Sequence, residues 1–260
     1  MRKIIGDKLG SYLDNISNYY KYYNTYWRFR KETNIKLYKW YKYSIECITN
    51  RYYEEYGYMP SANDVVIDIG SQFADYSLIW AINYNARVYA FEPLPINNYI
   101  ASINKYLNKK GYNNLFLIPK AIGLNTTVKG VIKGKMLVNP NVIKSNNTNE
   151  VSYPTYPINE FIEKYSIKDI FMIKIDVEGF EIDVLFELID VLNKFKPKLI
   201  IETHSVEIYN NVISFLIDFT DCNYILTKDL GIAYGIHILF FTNEEKRWIE
   251  NEKILQMHKN

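Results

Sequence analysis

The chain has 260 residues, 48% of them hydrophobic and 23% charged, ordinary values for a globular protein with a sizeable core. That length suits one α/β domain with an extension, and the formal net charge of +2 is too small to argue for a polyanionic partner. Cys47 and Cys222 lie too far apart to form a metal or redox motif. With no apolar signal core at Met1–Asp7 and no run of membrane-spanning length, the expectation is a cytoplasmic protein with reduced thiols.

The charge is unevenly spread. Met1 to Met59 carries eleven Lys/Arg against six Asp/Glu, and Ser11 to Tyr58 holds thirteen of the twenty-five tyrosines. Leu13, Ile16, Tyr20, Tyr23 and Trp27 repeat at three- and four-residue steps, and Leu37, Tyr41, Ile45 and Ile48 do so again. The spacing predicts two or three amphipathic helices, so residues 1–60 read as a Tyr-rich helical cap on the main domain, residues 61–260. Arg28, Arg30, Lys31, Lys36, Lys39 and Lys42 interleave with aromatics, a pattern that also suits single-stranded nucleic acid or a sugar.

Val65-Val66-Ile67-Asp68-Ile69-Gly70-Ser71-Gln72 then reads as a buried strand from Asp64 to Ile69, a tight turn, and a helix to about Ile82. Arg87–Phe91 is a second strand, stopped by Glu92-Pro93. Pro95 opens a helix with Ile96, Tyr99, Ile100, Ile103 and Leu107 on its apolar face and Gly111 as its stop. Leu115–Ile118 is a third strand, followed by Pro119-Lys120-Ala121. Such βαβ units predict a parallel, helix-covered sheet. Residues 125–151 turn polar, with short apolar pieces at Val128–Ile132 and Met136–Val138, and predict a surface hairpin and loop that shape a substrate site.

Pro157–Tyr165 reads as a short helix and Ile170–Ile175 as a strand ending in Asp176. Val177-Glu178-Gly179 leads into a helix in which Phe180, Val184, Leu188 and Leu192 recur. Pro197–Ile201 is a strand ending in Glu202, and Val206–Phe219 a helix. Tyr224–Thr227 and Ile236–Phe241 read as a hairpin turning at Lys228-Asp229-Leu230-Gly231, which makes the last strand antiparallel. Thr242 and Glu245 form a capping-box pattern for a final helix.

Four predicted strands thus finish in acidic residues, Asp68, Glu92, Asp176 and Glu202, on the rim where α/β sheets bind ligands. The distance from Asp68 to Glu92 suits a glycine turn followed by a carboxylate for ribose hydroxyls. The turn lacks the full glycine pattern that seats a pyrophosphate, and an acid before it suits an amino-bearing ligand. S-adenosylmethionine therefore fits better than NAD.

Val65-Ile67-Asp68-Ile69-Gly70, Ala90-Phe91-Glu92-Pro93, Ile173-Lys174-Ile175-Asp176-Val177-Glu178-Gly179-Phe180-Glu181 and Ile200-Ile201-Glu202 together resemble the FkbM-type family of S-adenosylmethionine-dependent methyltransferases. The resemblance spans roughly Asp64 to His204. It implies a Rossmann-like class I methyltransferase fold, a seven-stranded mostly parallel sheet with an antiparallel last strand. It also implies methyl transfer to a hydroxyl oxygen, commonly on a sugar or secondary metabolite. Asp68, Gly70 and Glu92 match the cofactor motif, with Ser71, Gln72, Pro93 and Ala121 expected beside them; Asp176 and Glu178 match the motif at the methyl-transfer site. Two departures stand out. Ser71-Gln72-Phe73-Ala74 replaces the family's small–Asn–hydrophobic–Gly, and Pro157-Ile158-Asn159 replaces its Thr-Leu-Asp.

An alcohol needs its proton taken as the methyl group arrives, and the candidates are Asp176, Glu178 and His204. Glu202 and Asn159 are expected to bind substrate hydroxyls, Lys174 to pair with an acid, and Glu181 to face a helix dipole. Asp176 and Glu202 alone make a thin case for Mg²⁺, so no metal is expected. The leading reading is an O-methyltransferase acting on a small hydroxylated or glycan substrate. The alternatives are a nucleic-acid methyltransferase gripping its strand with the basic N-terminus, and a non-catalytic binding protein on a methyltransferase fold.

Overall fold

The computed structural model describes residues 24, 26–31, 33–38, 56–109, 113–124, 127–133, 136–138, 150–218, 222–233 and 236–243. From residue 65 the elements run β1 (Val65–Ile69), α1 (Asp75–Asn83), β2 (Arg87–Phe91), α2 (Pro95–Leu107), β3 (Leu115–Ile118), β4 (Ala121–Ile122), β5 (Thr127–Lys133), β6 (Met136–Val138) and β7 (Glu150–Tyr156). They continue with α3 (Ile158–Lys164), β8 (Met172–Ile175), α4 (Glu181–Glu187), α5 (Ile189–Phe195), β9 (Lys198–Thr203), α6 (Val206–Asp218), β10 (Tyr224–Ala233) and β11 (Ile236–Asn243).

The main sheet has seven strands in the order β10-β11-β9-β8-β1-β2-β3. β1 pairs in parallel with β2 and β8, and β11 runs antiparallel to both β9 and β10. This is the seven-stranded, mostly parallel arrangement with an antiparallel last strand that the sequence resemblance implies. The chain moves outward from β1 to β3 and then returns to β1's other side as β8. The crevice beyond the carboxyl ends of β1 and β8 is therefore the switch point where such sheets hold ligands.

Alternation along the strands divides the core in two. Ile67, Ile69, Ile173, Ile175, Leu199, Ile201, Leu239 and Phe241 face α3 to α6, through Phe161, Leu185, Leu192 and Leu216. Val66, Val88, Ala90, Met172, Ile200, Ile238 and Phe240 face the other way, toward Leu78 and Trp80 of α1. The same period places Asp68, Lys174 and Glu202 on that second face.

Upstream residues complete the second face. Phe29, Ile35, Leu37 and Tyr58 are buried in its core, and the rings of Tyr56 and Tyr58 lie 5.4 and 5.0 Å from that of Phe240. Residues 26–31 are helical and Asn34 takes a left-handed conformation, a common way to stop a helix. Residues 34–37 are not helical, so the helix expected from Leu37 does not begin there; its other positions lie outside the described residues, as do Leu13 to Tyr23.

The strands match the sequence reading closely, but several other expectations are corrected. α2 does not bury the expected apolar face. Ile96, Tyr99 and Leu107 are exposed, while Asn97, Ile100, Ala101 and Asn104 are buried. Asn104 and Asn108 turn inward because they pair with backbone. Asn104 Oδ1 accepts the Tyr38 N–H at 2.7 Å and its Nδ2 donates to the Phe73 carbonyl at 3.0 Å. Asn108, which caps the helix, accepts the Lys36 N–H at 2.8 Å. The helix expected from Phe180 is two, broken at Leu188, although Val184, Leu188 and Leu192 are all buried as their spacing requires. Residues 228–231 lie inside β10 rather than in a turn. Asp229 is tolerated there because His237 across the ladder and Tyr209 of α6 bond its carboxylate. Thr242 belongs to β11, not to a cap, and residues 244–260 lie outside the described ones. The polar stretch 125–151 supplies β5, β6 and the start of β7 to a second sheet of order β4-β7-β5-β6, more than a single hairpin.

Asn104→Ala removes the hydrogen bonds to the Tyr38 N–H and the Phe73 carbonyl. It is expected to destabilise the protein by about 1–3 kcal/mol in urea unfolding, whereas Tyr99→Ala on the exposed face stays within about 0.5 kcal/mol.

Candidate active site

A cavity of about 440 Å³ opens at the switch point, within the usual size for a small-molecule site. The turn after β1 forms one wall. Gly70 has φ +83°, and a Cβ there would lie 1.8 Å from the Asp176 carbonyl oxygen. The glycine thus lets β1 and β8 end against each other, with the Asp176 N–H on the Ile69 carbonyl at 2.9 Å. The Gly70 and Ser71 N–H groups both donate to the Phe91 carbonyl. Gln72 and Ala74, where the sequence departs from the family pattern, take left-handed φ values of 47° and 61° without being glycines. Ala74 has no Cβ branch to clash, and Gln72 is held by its own N–H, which donates to Glu92 Oε2 at 3.0 Å.

Glu92 closes that wall. Its other oxygen accepts the Leu94 N–H at 2.9 Å. Burial pushes its carboxyl up to about 7, against the pull of the hydrogen bonds from Leu94, Asn97 and Gln72. Ser71 lines the cavity with a buried hydroxyl that has no hydrogen-bond partner among the described residues. A carboxylate with spare lone pairs, an orphaned hydroxyl, and the apolar surfaces of Pro93, Ala121 and Ile122 suit a nucleoside ligand.

Lys174 lies under the floor, only 4% exposed. Its Nζ donates to Asp176 Oδ2 at 3.0 Å and stands 3.8 Å from Asp68 Oδ1. Burial by itself would lower the ammonium, but Asp176, Asp68 and Glu202 hold it well above the usual lysine range. Asp68 is raised by its burial, offset in part by Lys174 and by Ser77, whose hydroxyl donates at 2.6 Å. Asp68 is not among the residues lining the cavity. Its carboxylate faces Lys174 and Ser77.

The opposite wall is acidic around one imidazole. His204 Nδ1 lies 2.7 Å from Glu181 Oε1, and Glu181 is fully buried. Nε2 faces Asp176 Oδ1 and Glu178 Oε2 at 3.6 Å each, and Glu202 Oε1 at 4.0 Å. Burial opposes the charged ring, yet Glu181, Asp176 and Glu178 outweigh it and push His204 up to about 10. Burial and then Asp176 push Glu202 up to about 8. Burial raises Glu178 as well, and this non-glycine residue is held at φ 52°, a strained backbone of the kind found at functional sites. Val128 and Met136 from the second sheet, with Phe180 and Ile236, supply apolar surface.

The structure therefore brings Gly70, Ser71, Gln72, Glu92, Pro93, Ala121, Asp176, Glu178, Glu202 and His204 to one cavity. Asn159 is elsewhere, on α3, with its amide donating to Asp190 at 3.2 Å. Glu181 is the residue whose place the sequence reading misses. A glutamate at a helix start looks like a dipole partner, and its tie to His204 exists only once α4 packs beside β9.

The family model of the methyltransferase FkbM domain matches residues 64–226. The chain belongs to that family. S-adenosylmethionine is accordingly its cofactor. Among solved structures, the FkbM methyltransferase of Methylobacillus flagellatus KT is 18% identical, with a TM-score of 0.50. The match covers 84% of this chain and 59% of that one, so the present chain spans less than two thirds of its length. An rRNA methylase from Streptococcus thermophilus is 14% identical over 74% of this chain and 93% of its own, with a TM-score of 0.46. The TrmK of M. capricolum, in complex with S-adenosyl-homocysteine, is 16% identical over 74% and 66%, with a TM-score of 0.44. No curated protein matches the sequence. Among the described residues of this FkbM methyltransferase, no helix is long and apolar enough to cross a membrane.

Replacing Lys174 with Met leaves Asp68 and Asp176 without their buried cation and is expected to cost about 3–5 kcal/mol in denaturant unfolding. Asp68→Asn added to Lys174→Met should recover part of that loss. Gly70→Ala, which adds a Cβ against the Asp176 backbone, should prevent folding or lower the melting temperature steeply.

Proposed function

We propose that this FkbM methyltransferase methylates a hydroxyl oxygen of a small hydroxylated molecule or glycan. The observation behind the reading is that a nucleoside-type wall, Ser71 with Glu92, and a hydroxyl-binding wall, Asp176 with Glu178, Glu202 and His204, share one cavity. When bound, the cofactor supplies a sulfonium-activated methyl group. Glu92 would accept the ribose hydroxyls, the Ser71 hydroxyl would gain the partner it lacks, and Pro93, Ala121 and Ile122 would flank the base.

On the facing wall the chain's own groups would bind the acceptor and manage its proton. Acceptor hydroxyls need hydrogen-bond acceptors, and three carboxylates converge there. Asp176 is held in a single orientation by Lys174, which donates to its Oδ2. Glu178 is raised by its burial, which makes it the stronger base for the proton lost during the displacement. Glu181 holds the imidazole of His204 in place. Most of the acceleration would come from alignment and from excluding water, to which the apolar surfaces of Val128, Met136, Phe180 and Ile236 contribute.

The acidic wall argues against a nucleic-acid acceptor, whose phosphates it would repel. The non-catalytic reading drew on the altered turn. Gln72 and Ala74 nevertheless support the turn geometry, with the clip to Glu92 made by backbone rather than by a family-specific side chain.

Calorimetry with S-adenosylmethionine should show binding that Glu92→Ala weakens by about 1–3 kcal/mol. Because Glu92 titrates near 7 and only the carboxylate accepts both ribose hydroxyls fully, affinity should fall as pH drops from 8 to 6. An unchanged affinity across that range contradicts the assigned role. With labelled cofactor, glycans and small alcohols should take up the methyl group while RNA and DNA do not. Glu178→Gln should lower kcat about 10²–10⁴-fold. Absence of cofactor binding by the intact protein overturns the enzyme reading, and labelling of RNA overturns the acceptor class.

A further inference from the structure

The distances around His204 Nε2 are not those of hydrogen bonds. Its Nε2 is 3.6 Å from Asp176 Oδ1 and 3.6 Å from Glu178 Oε2, too far for a hydrogen bond to either. Oxygens and a nitrogen attracted only to one another would close to about 2.7–2.9 Å. One donor atom from each of the three residues instead lies within 4.8 Å of the others. Ligands bonded to a shared ion at about 2.0–2.2 Å are separated by roughly 3–4 Å. His204 is nine-tenths buried, and its Nε2, aimed into this group, has no hydrogen-bond partner among the described residues.

What stands behind each ligand fits the same picture. A metal-bound imidazole typically donates its far ring N–H to a carboxylate, which fixes the tautomer and aims the other nitrogen at the ion. Glu181 Oε1 stands 2.7 Å from Nδ1. Asp176 is likewise held from behind, by Lys174 on its second oxygen at 3.0 Å. Charge points the same way. Asp68, Asp176, Glu178, Glu181 and Glu202 gather around Lys174 and His204, with Lys133 also acting on Glu178, and a divalent cation reduces the remaining imbalance.

We propose that Asp176, Glu178 and His204 bind a divalent transition-metal cation at the acceptor side of the cavity. Two carboxylates and one imidazole form a mixed oxygen and nitrogen set suited to Mn²⁺ or Zn²⁺. Three protein ligands leave coordination positions open toward the cavity, as in catalytic sites. The role of the ion, though not its binding, rests on the methyltransferase reading. It orients the acceptor oxygen and makes its proton easier to remove; with the ion bound Glu178 serves as a ligand rather than as the base, and the proton passes to Glu202, 4.0 Å from Nε2, whose ionised form the ion favours.

The test is isothermal titration of the EDTA-treated, dialysed full chain with Mn²⁺ and, separately, with Zn²⁺, alongside thermal melting. One ion per chain and a raised melting temperature are expected for at least one metal. His204→Ala and Glu178→Gln, shown to be folded by circular dichroism, should each weaken binding at least tenfold. Glu181→Gln should weaken it about 10–100-fold without removing a ligand. Glu178 is partly exposed, so its variant keeps the test decisive if His204→Ala does not fold. Failure of both metals to bind, or binding unchanged in the folded variants, overturns the site. S-adenosylmethionine binding without metal binding overturns the metal site alone. Metal binding without S-adenosylmethionine binding supports it and removes the enzyme reading.

Discussion

An ammonium group in the middle of a parallel sheet sets the terms for this protein. Lys174 sits on β8 between β1 and β9, in register with Asp68 on one side and Ile200 on the other. Its Nζ lies 5.4 Å from the centre of the Tyr76 ring. Removing such a charge from water is tolerable only with close counter-charges, and the neighbouring strands provide them. The alternation that turns Val66, Met172 and Ile200 toward α1 also turns Asp68, Lys174 and Glu202 that way. The acidic rim is therefore the upper edge of an ion network that begins within the sheet.

Backbone does much of the remaining construction. Gly70 brings the end of β1 against the end of β8, and two N–H groups of the turn share the Phe91 carbonyl. Glu92 is oriented by two main-chain N–H groups, from Gln72 and Leu94. Because the turn depends on N–H positions and left-handed torsions, Gln72 and Ala74 can occupy places where the family pattern differs. The facing wall works in the opposite manner. It is held mainly by contacts between side chains, such as that of His204, just after β9, with Glu181 of α4.

That contrast explains what could be read from the sequence. Strands such as Arg87–Phe91 and Leu115–Ile118 were legible to the residue, because buried parallel strands are continuous apolar runs ended by acids or prolines. The rim acids were legible for the same reason, since a strand's end fixes where its next residue lies. α2 misled because its apolar spacing suggested a buried face, while Asn104 and Asn108 had unseen backbone partners near residues 36–38. Glu181 and Asn159 show the two sides of the same difficulty. One looked ornamental and holds His204; the other looked functional and bonds Asp190. In both cases the deciding neighbour is distant in sequence and close only after helices pack.

Where the recognisable family begins and where the buried core begins are different places in this chain. The family match starts at residue 64, yet Phe29, Ile35, Leu37 and Tyr58, all upstream, are at most 5% exposed. Burial of four such side chains contributes roughly 6–12 kcal/mol, as much as the whole net stability of a typical domain. A protein beginning at residue 64 would retain every described strand and every residue lining the cavity, but it would expose part of one face of the sheet to water. Evolutionary recognisability and thermodynamic completeness are thus set by different residues, and a minimal catalytic fragment has to be drawn by the second.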